Sequence, residues 1–216
     1  MMVPEHAQGF VQRLQALPEG ELEQLVDAEL LDGVPHIFDG DVGEHRAFRA
    51  HVGGALAAPA DDIHVIGSAR LGFSLNPEHY FRPLLAHSDV DVVVVHSDLF
   101  DFAWHTLLRW HYRLLGTNME HGDTTWAKDR RREVWKGWFE PHRWDLKPRG
   151  GVALSVPEAL KPAREFATTW FTTFTSLGRY RHAEIAGRRV SARLYRTVEH
   201  VRLYHANGLR VLRQHL

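Results

Sequence analysis

The segment Asp89 to Val95 reads DVDVVVV, and it limits the possible folds more than any other stretch of the chain. Val92 to Val95 form the continuous apolar run expected of a strand covered on both faces. Side chains alternate along a strand, so the carboxylates of Asp89 and Asp91 are predicted to project from one face at its mouth. Two acids there oppose an apolar environment, and adjacent carboxylates repel each other unless a cation lies between them. Paired hard oxygen ligands suit Mg²⁺ or Mn²⁺. An isolated Asp-x-Asp is more often a pair of ordinary turn and strand-start residues, so its meaning depends on what stands upstream.

Upstream, His64-Val65-Ile66 predicts a short strand that ends at Gly67-Ser68. A glycine lets the backbone approach a ligand closely, and the serine hydroxyl can donate to a phosphate. Val65-Ile66-Gly67-Ser68 followed by Ser88-Asp89-Val90-Asp91-Val92-Val93-Val94 resembles the signature of the DNA polymerase β-like nucleotidyltransferase superfamily. The longer run Gly67-Ser68-Ala69-Arg70-Leu71-Gly72-Phe73-Ser74 resembles small bacterial members found near anti-phage and toxin-like operons. The spacer from Ser68 to Asp89 is longer than is usual in that superfamily. It carries Phe81-Arg82-Pro83, so an inserted loop is expected beside the site.

The resemblance implies a Mg²⁺- or Mn²⁺-dependent enzyme that moves a nucleoside monophosphate from an NTP or dNTP to a hydroxyl and releases pyrophosphate. It implies that Gly67 and Ser68 grip the phosphates, with Arg70, Ser74 and Arg193 as helpers. Of two metal ions, one would be held by Asp89, Asp91 and a third carboxylate supplied by a neighbouring strand, and the other would be shared with the triphosphate. Glu184, between Ala183 and Ile185, is the candidate for that third acid, with Asp145 and Asp123 as rivals; a salt bridge to Arg193 or Arg181 is the alternative role for Glu184. A synthase of a nucleotide signal or oligonucleotide in bacterial defence is one reading. A toxin-type enzyme modifying tRNA or protein is another, and an inactive nucleotide-binding module is a third. An operon-encoded effector or antitoxin is a possible partner.

The chain of 216 residues is 44% hydrophobic and 25% charged, in keeping with a single globular unit. It has no cysteine, which excludes disulfides and thiolate metal sites and is compatible with a reducing compartment. The opening MMVPEHAQGF lacks the pattern of a secretory leader, and no apolar run reaches membrane-span length, so no membrane association and a cytoplasmic location are expected. The formal charge of −1 conceals an asymmetry. Residues 1–127 hold 7 Lys and Arg against 19 Asp and Glu, and residues 128–216 hold 19 against 8. Such a split fits either a basic half that meets phosphates or two halves that attract each other.

Helical spacing predicts helices over 5–17, 21–31 and 44–56, forming a helical N-terminal part (1–60) packed on a core of 61–216 whose C-terminal half is basic and helical. Ser97 is expected to cap a helix running to about 115, with Leu99, Phe102, Ala103, Thr106 and Trp110 facing inward. Residues 126–149 interleave aromatic and basic side chains. Among them Arg130, Arg131, Arg132, Trp135 and Trp138 are candidates for nucleic-acid binding, and a basic helix anchored by its tryptophans is the alternative. A helix over 158–176, a β-hairpin over 179–195 and a final helix from Thr197 complete the chain. The expected class is therefore α/β (α+β): a small mixed sheet of the nucleotidyltransferase type, flanked by helices, with helical additions at both ends. Sixteen histidines show no compact ligand spacing, and there is no P-loop, Gly-x-Gly-x-x-Gly or Gly-x-Ser-x-Gly motif.

Overall fold

Val90–Val95 is the centre of the sheet, and its neighbours explain why it is so apolar. In the computed structural model, which describes residues 3–114, 131–141 and 161–216, the strands are β1 (Ile63–Ile66), β2 (Val90–Val95), β3 (Trp138–Phe139) and β4 (Val190–Tyr195). Their spatial order is β1-β2-β4-β3. β2 runs antiparallel to β1 and parallel to β4, and β3 is antiparallel to β4. The fold is a mixed α+β architecture, one four-stranded mixed sheet flanked by helices.

The helices are α1 (Glu5–Ala16), α2 (Leu22–Val26), α3 (Val42–Leu56), α4 (Gly67–Leu71), α5 (Ser97–Leu114), α6 (Lys161–Ser176) and α7 (Val198–Gln214), with a helical turn at 131–135. One sheet face carries Ile63, Val65, Val90, Val92, Val94, Ala192 and Leu194, buried against Phe48 and Val52 of α3, Phe100 and Ala103 of α5, and Trp170 and Phe174 of α6. On the other face Ile66, Val93 and Tyr195 pack with Val201 of α7. A separate apolar cluster joins α1 and α2 to Ala206, Leu209 and Leu212 of α7 and to Phe73 and Phe81 of the loop over 72–89. The N-terminal helices thus pack on the C-terminal one. Among the described residues no helix is long and apolar enough to cross a membrane.

Local chemistry accounts for several boundaries. The Asp41 side chain accepts from the Glu44 amide to start α3, so a capping carboxylate satisfies one of the amides left without a partner at the helix start. At α5 the cap is His96 rather than the expected Ser97: His96 Nδ1 accepts from the Leu99 amide at 3.3 Å. Of the expected stripe of α5, Ala103 and Thr106 are buried and Leu99 packs against the core, Phe102 is exposed while Phe100 and Leu107 are buried, and the Trp110 side chain lies outside the described residues.

The hairpin expected over 179–195 does not form. Only Val190–Tyr195 is a strand, and its partners are β2 and β3. Residues 182–188 coil instead into turns, in which the amides of Ile185 and Ala186 both donate to the His182 carbonyl. Gly187 at φ 79° reverses the chain. Ile185 alone of that segment is fully buried, so the alternation that read as a strand reflects one anchoring side chain. Conversely, β3 arises from Trp138-Phe139, within the stretch that read as basic and helical.

Candidate functional site

The first strand delivers the chain into a turn that only glycine suits. Gly67 follows β1 with φ 66°, in the left-handed region, and opens the short helix α4. A Cβ at this position would stand 3.1 Å from Asp91 Oδ2. The turn and the carboxylate are therefore in contact, as register requires: Ile66 pairs with Asp91 across β1 and β2, and Asp91 with Ser191 across β2 and β4. Ser191 Oγ donates to Asp91 Oδ1 at 2.7 Å. Asp89 lies just before β2, half exposed, with Arg189 Nη1 3.8 Å from its Oδ2.

These groups open into a cavity of about 640 Å³. Gly67, Ser68, Asp89, Asp91, Ser74 and Arg193 all line it, so six of the residues singled out in the sequence meet in one cleft. Ser68 is half-buried on the floor. Ser74 stands on the loop over 72–89, where its Oγ accepts from the Asn76 amide. The α7 residues Tyr204 and His205 complete the lining.

Arg193 is the most elaborately held group in the cleft. Its Nε donates to Glu140 Oε1 at 2.7 Å and its Nη1 to the Tyr204 hydroxyl at 3.0 Å. The guanidinium carbon lies 5.1 Å from the Trp138 ring centre and 5.3 Å from that of Tyr204, within cation–π range. Burial works against its charge, but Tyr204, Tyr195 and Glu140 more than offset that and hold its pKa above the ordinary guanidinium value. Glu140 is almost fully buried, at 4% exposure, and lines the same cleft. Burial, then the Arg193 charge, pushes His205 down to about 4, so it is neutral at pH 7.

Other sequence candidates lie elsewhere. Arg70 does not line the cleft: its Nε donates to the Glu29 carbonyl at 2.8 Å and its Nη2 to that of Asp32, stapling α4 to the segment after α2. In a helix, positions 68 and 70 point about 200° apart, so a Ser68 that faces the cleft turns Arg70 away. Glu184 also stands apart. It sits in the turn before β4, pairs with Arg188 at 3.3 Å, and borders a different depression with Asp39, Glu44 and His182. Arg181 pairs instead with Glu44. Arg131 and Arg132 are exposed, and Trp135 is 87% exposed; Trp138, by contrast, turns inward onto Arg193. Arg130, Asp123 and Asp145 lie outside the described residues.

Glu140, Arg189, Ser191, Arg82 and Tyr204 were not singled out by sequence. Ser191 and Arg193 share the two-residue period of β4, and Glu140 keeps the period of Trp138, so strand alternation was the available signal once the strands were placed.

The donor set fits a divalent cation. Asp89 and Asp91 are exposed to the cleft, and Mg²⁺ is commonly held by one or two carboxylates with substrate phosphates completing its shell. Among the described residues no group of three or more Asp, Glu, His or Cys side chains is arranged to hold a metal. No family model matches the chain, and no curated protein or solved structure is found to match it.

Proposed function

We propose that this protein is a divalent-metal-dependent nucleotidyltransferase that moves a nucleoside monophosphate from a nucleoside triphosphate to a hydroxyl and releases pyrophosphate. The observation that carries this reading is the packing of the Gly67 turn directly against Asp91, with Ser68 and Asp89 in the same cleft. Asp89 and Asp91 would hold the metal, which when bound neutralises phosphate charge and makes an attacking hydroxyl more acidic. Ser191 fixes the orientation of Asp91 by donating to Oδ1, which leaves Oδ2 on the side of the glycine turn. Ser68 donates to a phosphate oxygen. Arg193, preorganised by Glu140, Tyr204 and Trp138, presents positive charge without having to be ordered on binding.

The test is pyrophosphate release from each of the four ribonucleoside and deoxyribonucleoside triphosphates with Mg²⁺ or Mn²⁺. Asp89→Ala and Asp91→Ala should each reduce turnover on the order of 100-fold or more, since even groups that support a metal ligand are worth 10–100-fold. Near-wild-type turnover of either variant at saturating Mg²⁺ overturns the assignment. The same assay separates acceptors: release without any addition points to a nucleotide or oligonucleotide synthase, and dependence on RNA or protein to a modifying enzyme.

A second reading is favoured by the neighbouring strand. Where a third acid was expected beside Asp91, β4 presents Ser191, and the next residue on that face is Arg193, already paired with Glu140. A module that binds nucleotide without turning it over has this constitution. Triphosphate binding with no pyrophosphate released under any condition would select it.

A further inference from the structure

The cleft has two walls, and the second is built by the loop over 72–89. One bank is the sheet, with Asp91, Ser191 and Arg193; the other carries Ser74, Asn76 and Arg82 from the loop. Three cations line the cavity, and they differ in how they are engaged. Arg193 is bonded to Glu140 and Tyr204, and Arg189 approaches Asp89. Among the described residues, Arg82 has neither a hydrogen bond nor an ion pair from its guanidinium, and its side chain is exposed to the cleft.

The backbone holds Arg82 there at a cost. Phe81 adopts φ 62°, a left-handed conformation unfavourable for an aromatic residue, and its ring is fully buried against Phe73 and Tyr80. With Phe81 driven into the core, Arg82 is left facing the cleft. Four hydrogen bonds secure this arrangement: Phe81 N to Ser74 O, Ser74 N to Arg82 O, Arg82 N to His79 O, and His6 Nε2 to Phe81 O at 3.0 Å. The last comes from α1, so the N-terminal helix braces the loop from behind. Strain retained at a braced position beside a cleft is the usual mark of a side chain that must be presented in one place.

We propose that Arg82 grips the terminal phosphates of the triphosphate, with the 72–89 loop and α1 as its support. The inference rests on the nucleotidyltransferase reading of the cleft. A triphosphate carries more negative charge than one cation bound at two carboxylates can neutralise, so the remaining charge calls for protein cations. Arg70 is committed to the Glu29 and Asp32 carbonyls, and among the described residues Arg82 is the unengaged guanidinium in the cavity that contains Ser68. A guanidinium meets phosphate oxygens with paired donors, a geometry an ammonium lacks.

Calorimetric titration of the full chain, in Mn²⁺ and in Mg²⁺, with the four ribonucleoside and four deoxyribonucleoside triphosphates, inorganic tripolyphosphate and the matching nucleoside monophosphate tests the assignment. Arg82→Ala should weaken triphosphate and tripolyphosphate binding by tenfold or more and change monophosphate binding by less than threefold. Arg82→Lys should recover only part of the loss. His6→Ala, which leaves the guanidinium in place but removes its brace, should weaken tripolyphosphate binding by a smaller factor; circular dichroism confirms that each variant is folded. If the wild type binds the triphosphates and Arg82→Ala binds them equally well, Arg82 has no such role while the reading of the cleft stands. An equal loss for monophosphate and triphosphate also overturns the proposal, because the contact then lies at the nucleoside end. If the wild type binds no triphosphate in Mn²⁺ or Mg²⁺, the nucleotidyltransferase reading falls and this inference with it.

Discussion

At the scale of single residues, Gly67 ties backbone geometry to chemistry. A left-handed φ costs a residue with a side chain about 1–2 kcal/mol, and here a Cβ would also press on Asp91 Oδ2 from 3.1 Å. Gly67→Ala is therefore expected to lower unfolding stability in urea by about 1–2 kcal/mol, yet to impair pyrophosphate release far more than that loss suggests, because the carboxylate itself must move. Equal turnover in Gly67→Ala would mean that the turn is structural and Asp91 is free to relax. The same scale explains which site residues could be read from the sequence. Gly67 and Ser68 directly follow β1, and Asp89 and Asp91 stand at the start of the adjacent β2, so local pattern suffices for them. Arg70 misleads because the turn becomes helical at Gly67, which rotates residue 70 to the far side, toward Glu29 and Asp32. Arg82 and Glu140 depend on how a loop and an edge strand fold back, which no local spacing records.

At the scale of elements, the helices follow the sequence closely, and errors gather where one polar or apolar residue shifts a boundary. Ala183-Glu184-Ile185 alternates like a strand, but the Gly187 turn and the double donation to the His182 carbonyl close it into a coil. Trp138 and Phe139 read as part of a basic helix until the pairing of Trp138 with Tyr195 and of Phe139 with Leu194 makes them an edge strand. The α5 boundary offers a direct test. With His96 Nδ1 accepting from the Leu99 amide, His96→Ala should cost about 1 kcal/mol of unfolding free energy, the usual worth of a cap. Ser97→Ala, whose hydroxyl among the described residues reaches Asp98 alone, at 3.5 Å, should fall within about 0.5 kcal/mol of wild type. Urea midpoints in the opposite order would restore Ser97 as the cap.

At the scale of the whole molecule, the two oppositely charged parts of the chain are clasped together. Arg202 pairs with Asp27, Arg210 and Arg213 with Glu19, Arg181 with Glu44, and Arg196 with Asp101, so five arginines of residues 128–216 are paired with acids of residues 1–127. Exposed pairs of this kind contribute little individually, and the apolar cluster of α1, α2 and α7 beneath them does most of the joining. Acid should loosen that arrangement before the carboxylates titrate, through histidines held neutral. His205 on α7 is pushed down to about 4 by burial and then by Arg193, and His45 to about 4 by burial and then by Arg49, Arg70 and His64. In the unfolded chain both take up a proton near 6.5, while the folded protein resists until about 4. Their stabilising effect is therefore complete above pH 6.5 and is lost progressively as pH falls toward 4. For His205 the linkage amounts to about 2 kcal/mol by pH 5, and His45, only half-buried, should add less because solvent screens it. Urea unfolding at pH 7 and pH 5 is expected to show this loss, and His205→Gln, which cannot be protonated in this range, should remove most of it. A stability that stays level from pH 7 to pH 5 in the wild type, or an undiminished drop in His205→Gln, would show that His205 takes up its proton without disturbing the fold.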